Sequence, residues 1–151
     1  MSAGEVERRL RGFLFGLAGA LCLGIIVELA LTGHTQQPIQ WLPFGLAGLG
    51  LVVVGAAWWR PNRITLWTLR LSMGLLALGG ALGSYEHVQS NLEIVRETQP
   101  NLALPAAVGK ALSGAAPLLA PGILAVAALI AVAATYYHPA LGQRPVGRPS
   151  A

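Results

Sequence analysis

Long runs without an ionisable side chain constrain this chain more than any other feature of its sequence. Leu42 to Trp59 carries no charge, and neither does Pro117 to Tyr137. Gly12 to Leu31 is interrupted only by Glu28, and Ile64 to Ser84 only by Arg70. A helix crossing a bilayer needs about 20 predominantly apolar residues, because the hydrocarbon layer is about 30 Å thick. All four runs fall near that length. Backbone groups in lipid must be paired within their own segment, so each run predicts a helix and not an open strand.

Composition agrees with this reading. Hydrophobic residues make up 54% of the 151 positions and charged residues 11%, against roughly 25% charged in typical soluble domains. Aspartate is absent, and the acids are all glutamates. The net charge of +4 does not point to nucleic acid, because the basic residues stand at the ends of apolar runs and not on one soluble face. Cys22 is the single cysteine, which excludes an intramolecular disulfide and thiolate metal motifs; it reads as a small buried hydrophobe.

The expected fold is all-α: a polytopic membrane protein built as a four-transmembrane-helix bundle, with a helical extracytoplasmic extension of the third span. One domain covers residues 1–141, with spans at about 12–31, 42–59, 64–84 and 117–137 and an outer polar segment at 85–116. Residues 142–151, rich in Gly, Pro and Arg, read as a mobile cytoplasmic tail.

Charge sets the expected direction. Arg8, Arg9, Arg11, Arg60, Arg63, Arg144 and Arg148 fall on one side of a four-span arrangement, leaving Arg96 and Lys110 on the other. Positive residues favour the cytoplasm, so both termini are expected inside, in a bacterial inner membrane. Trp58, Trp59, Trp67, Tyr136 and Tyr137 would then lie at the inner interface, and Trp41, Phe44 and Tyr85 at the outer one. Arg70, about two turns into the third span, reads as snorkelling to the inner headgroups, with stacking on Trp67 as the alternative. Arginines before an apolar run also open secretory signal peptides. Here the run is too long for the usual hydrophobic region, and the sequence after Val27 is a poor cleavage site, so an uncleaved span is expected.

Small residues suggest how the helices meet. Gly12, Gly16, Ala20 and Gly24 recur at intervals of four, as do Gly79 and Gly83; the second run holds Gly45, Gly48, Gly50 and Gly55. Such residues let membrane helices approach closely, either within one chain or between copies. Pro117 suits a first helical turn, whereas Pro121 predicts a kink or a late helix start.

Polar chemistry is concentrated between the third and fourth runs. No Gly or Pro occurs from Tyr85 to Gln99, so the third helix is expected to continue to about Thr98, followed by a short surface helix near Pro105 to Leu112. Gly79, Gly83, His87 and Asn91 form an i, i+4 ridge, with Asn91 expected in polar packing; Glu86, Ser90, Glu93 and Glu97 form an acidic stripe. Glu28, near the outer end of the first span, is expected to meet this region near Glu86 or His87, with His34 in reach. Intramembrane ionisable residues are functional candidates by default.

Three readings of this cluster stay open. It is structural, with Glu28 and His87 satisfying each other or nearby backbone. It is an ion or metal site using Glu28, His34, Glu86, His87 and Glu93 as nitrogen and oxygen ligands. Or it docks a larger membrane complex or a quinone-like lipid. No catalytic motif accompanies it: there is no Gly-x-Ser-x-Gly, His-Glu-x-x-His, phosphate-binding loop or Cys-x-x-Cys. The leading expectation is a non-enzymatic accessory or interaction subunit whose partners are the lipid bilayer and other membrane subunits or a second copy. The alternative is an ion- or metal-binding bundle, with transport as one use, and no cofactor is expected beyond that metal. An enzyme acting at the outer interface ranks third.

Overall fold

The computed structural model describes residues 2–114 and 119–142, and every regular element among them is helical. The first helix, α1, spans Ala3–Leu31. It opens on a capping box in which Ser2 N–H donates to Glu5 Oε2 at 2.9 Å and Glu5 N–H donates to Ser2 Oγ at 3.4 Å, satisfying otherwise orphaned donors of the first turn. A 3₁₀ turn at Pro38–Gln40 leads into α2, Trp41–Trp59. The connection to α3, Arg63–Thr98, is short and closes on Asn62, whose Oδ1 accepts from Ile64 N at 2.9 Å and Thr65 N at 3.0 Å. A link this short makes α2 and α3 antiparallel neighbours. Helix α4 covers Leu104–Leu112 and α5 covers Leu119–Ala134.

Three of these segments are long and apolar enough to cross a membrane: Ala3–Leu31, Pro38–Trp59 and Arg63–Thr98. At 36 residues, α3 reaches about 54 Å, so it runs well past any hydrocarbon layer and ends at Thr98. The acidic stripe therefore lies on the same continuous helix as the span. Helix α5 is described over 16 residues, or about 24 Å; the start of the expected 117–137 segment lies outside the described residues, and the helix ends three residues before 137. Its end is set by backbone geometry: Tyr137 takes the left-handed conformation with φ 49°, and Pro139 follows. Pro117 and the tail beyond Gly142 lie outside the described residues.

The helices pack in cyclic order, α1 on α2, α2 on α3, α3 on α5 and α5 on α1, while α4 packs on α3 alone among the helices. The interior mixes small side chains with larger apolar ones: Phe15, Ala18 and Cys22 of α1, Ala47 and Ala57 of α2, Leu66, Leu69 and Met73 of α3, Leu124, Ala127 and Ala131 of α5. Other large apolar residues face outward. Val52, Leu71, Leu78 and Leu129 are each 68–70% exposed. An apolar belt of this kind is costly in water and suited to lipid.

Contacts of small residues differ from the expected ridges. Gly12 and Gly24 have nothing near, and Ala20 is exposed; only Gly16 meets a neighbour, at 3.4 Å from Trp58. Steps of four drift about 40° each on a helix of 3.6 residues per turn, so Gly12 and Gly24 point about 120° apart. The buried stripe of α1 is Phe15, Ala18, Cys22 and Ile25, whose alternating spacings of three and four cancel that drift. The tightest approach of one helix's backbone to another's at a glycine, among the described residues, is elsewhere. A Cβ on Gly80 would stand 2.8 Å from the Pro121 carbonyl oxygen and 3.1 Å from Ala125 N, both backbone atoms of α5.

At the opposite end of α5, two arginines cap the helix. Arg70 Nε donates to Thr135 Oγ1 at 2.8 Å and its Nη2 to the Thr135 carbonyl at 3.2 Å, with the guanidinium 5.4 Å from the Trp67 ring centroid. Arg70 is therefore fixed within the protein and not simply snorkelling. Arg11 Nη2 donates to the Tyr137 carbonyl at 2.9 Å and pairs with Glu7. Positive charge at a helix C-terminus is favourable, and the donors satisfy carbonyls that lipid could not. Next to them, burial and then the Arg11 charge hold the His138 imidazole below its usual 6.5, consistent with its Nδ1 accepting from Ala140 N at 3.1 Å.

Two outcomes follow from this packing. Gly80→Ala should lower stability in detergent by about 1–3 kcal/mol, the usual range for overpacking, whereas Gly74→Ala, with open space around it, should be neutral or slightly stabilising; equal thermal midpoints would contradict the α3–α5 contact. A double-mutant cycle of Arg70→Ala and Thr135→Val should show coupling of about 1.5–3 kcal/mol, the range for hydrogen bonds to charged groups. Additive effects would mean that the pair does not form.

Candidate functional site

The end of the molecule opposite these arginines is shaped by how α1 stops. Gly33 adopts φ +66°, a left-handed position that glycine occupies without steric cost. The turn lets His34 N–H reach the Leu29 carbonyl at 3.0 Å and Gly33 N–H the Ala30 carbonyl at 3.3 Å, the paired bonds of a Schellman motif. His34 is thereby folded back over the last turn of α1 and left half-buried. The chain then closes on Gln40, whose Oε1 accepts from Gln36 N at 2.7 Å and Gln37 N at 3.0 Å. This side-chain lock fixes the 3₁₀ turn and the direction in which α2 starts.

Between the helices at this end lies a cavity of about 570 Å³. Ile25, Leu29, Leu42, Leu46, Leu82 and Leu124 supply its apolar walls, and Glu28, Thr32, His34, Gln40, Glu86 and His87 its polar lining. Gly79, Gly83 and Pro121 complete it. The two glycines have packing neighbours as well: Leu46 occupies the space at Gly79, and a Cβ on Gly83 would stand 2.9 Å from Pro121 Cβ. Close packing at Gly79, Gly80 and Gly83 thus draws α2 and α5 onto α3 just where the cavity begins.

Of the residues singled out from sequence, Glu28, His34, Glu86 and His87 line this one cavity. Glu93 is not among its lining residues; like Glu28 and Glu86 it is exposed, but it stands two turns beyond Glu86, about 10 Å along the axis. Asn91 has a separate place. It is buried to 2% exposure, and its Nδ2 donates to the Ala111 carbonyl of α4 at 3.0 Å. Gly114 leaves room for that side chain. The i, i+4 drift explains the division, because Asn91 is rotated about 120° from Gly79 and faces α4 instead of the cavity.

Glu28 and Glu86 bring two carboxylates to the lining with no lysine or arginine beside them. Among the described residues, no three His, Cys, Asp or Glu side chains converge closely enough to hold a metal ion. The lining can accept hydrogen bonds and positive charge and can bury apolar surface. Gln40, Leu46 and Pro121 were not legible as site residues. Their only sequence signals are a turn-forming Gln-Pro context and the glycine spacing opposite them.

No protein-family model, no curated protein and no solved structure matches this chain.

Proposed function

We propose that the chain is an integral membrane protein of four spans with both ends on the cytoplasmic side of a bacterial-type inner membrane, acting as a non-enzymatic binding or accessory subunit through its outer cavity. The observation that carries this reading is the cavity itself: apolar walls with ionisable groups in the lining, at the end away from the arginines. Charge bias supports the orientation, since Arg8, Arg9, Arg11, Arg60 and Arg63 stand at the other end of the helices. The short α5 fits a span because bilayers thin locally and flanking residues adjust to mismatch at modest cost. Its arginine-capped end gives it a polar anchor at the inner interface.

The alternative is ion or metal binding at Glu28, His34, Glu86 and His87, favoured by their sharing one cavity. A metal would need the ligands to draw together from where they stand.

Thiol labelling on intact cells tests the main reading. Cysteines replacing Gln36 and Gln40 should react with an impermeant maleimide from outside, and one replacing Asn62 only after permeabilisation. A cysteine at Leu46, in the cavity wall, should react with a small water-soluble thiosulfonate while one at Leu75 should not. Reversed labelling would overturn the orientation, and an inert Leu46→Cys would show that water does not reach the cavity. Equilibrium metal binding to the wild type and to His87→Ala tests the alternative; lack of stoichiometric uptake by the wild type would remove it.

A further inference from the structure

We infer that the cavity receives an amphipathic organic cation, its apolar body against the leucine and isoleucine walls and its positively charged head between Glu28 and Glu86. The inference rests on reading the cavity as a binding site and names the chemistry of what binds there.

Charge comes first. The lining holds two carboxylates and no lysine or arginine. The nearest basic residue on the same helix, Arg96, lies about 15 Å beyond Glu86 along α3, and Lys110 on α4 is engaged by the side chain of Gln99. The first connection, Thr32 to Gln40, has no charged residue at all. Glu28 also stands in the last turn of α1, where the carbonyl end of a helix already disfavours negative charge. Both carboxylates are exposed, so a charged head can reach them from outside the cavity. An anion is repelled by this lining, and a neutral ligand covering it would desolvate the carboxylates without compensating them. A cation does both.

Besides Glu28 and Glu86 the polar lining holds Thr32, Gln40 and the imidazoles of His34 and His87, and the first two are engaged within the protein. Thr32 donates its hydroxyl to the Glu28 carbonyl at 2.8 Å, and Gln40 Oε1 is occupied by two backbone amides. The carboxylates are left as the charged acceptors of the lining.

Volume and wall chemistry make the cation organic. About 570 Å³ falls within the roughly 300–1,000 Å³ of small-molecule sites. Leu42, Leu46, Leu82 and Leu124 offer nothing to a hydrated metal ion but bury an aromatic or aliphatic body well. A bare metal ion would want three or more converging ligands, and no such group exists among the described residues.

Equilibrium dialysis of the purified full chain in detergent, corrected for empty micelles, tests this with a matched pair of probes: tetraphenylphosphonium and its near-isosteric anion tetraphenylborate. The phosphonium should bind saturably and the borate should not. Glu28→Gln and Glu86→Gln should each weaken phosphonium binding by about tenfold or more, equivalent to about 1.4 kcal/mol. Glu28→Asp and Glu86→Asp, which keep the charge, should restore part of it, and Glu93→Gln should leave it unchanged. Helicity and monodispersity of each variant exclude loss of fold as the cause. Equal binding of both probes, or binding indifferent to the Gln variants, would overturn the charge selection while leaving the cavity a binding site. Binding of neither probe would overturn both readings.

Discussion

At Gly80 the backbone of α3 lies against the Pro121 carbonyl and the Ala125 amide of α5, and only a hydrogen fits between them. Much of the remaining architecture depends on that approach. In the membrane setting proposed above, helices gain little from hydrophobicity against one another, so close contact and polar anchors would hold them. At the adjacent Gly79 Leu46 fills the space, and about one turn on Pro121 fills the space at Gly83. At the far end of the same pair, Arg70 ties α3 to the Thr135 hydroxyl and carbonyl. Thus α5, the shortest of the helices in the ring, is gripped at both ends.

The two ends of the molecule then acquire opposite chemistry. At one, arginines satisfy the carbonyls that close α5, and the exposed rings of Trp59, Tyr136 and Tyr137 surround them. At the other, α1 stops on a glycine in the left-handed region, and the chain folds back so that His34 lines the same cavity as Glu28. Because α1 and α3 pack through their neighbours and not on each other, space remains between them at this end. That space is the cavity, and its polar lining comes from the end of α1, the connection after it and α3.

Much of this could be read directly. The helical class, the three longest apolar segments, the continuation of α3 to Thr98 and the short helix near Leu112 all follow from charge-free length and from where Gly and Pro occur. The expectation that Glu28 approaches Glu86 and His87 rested on depth along the helices, and depth is a simple function of residue count. Rotation is less legible. The Gly12–Gly24 ridge fails as a packing face, and Asn91 leaves the Gly79 face, because small angular errors accumulate over three turns. Arg70 illustrates a different limit: its neighbour Trp67 is visible three residues away, but its partner Thr135 is distant in sequence.

What the sequence determined by itself was the material and its polarity: apolar helices of given length, most of the basic residues at one set of ends, and Glu28, His34, Glu86 and His87 at the other. Those properties are local, set by composition within a few turns. Only the tertiary structure decided which glycines carry contacts, that α5 is capped by Arg11 and Arg70, and that Glu28, His34, Glu86 and His87 share one cavity while Glu93 does not. These depend on the rotation and spacing of each helix against its neighbours, which side-chain packing between distant segments determines.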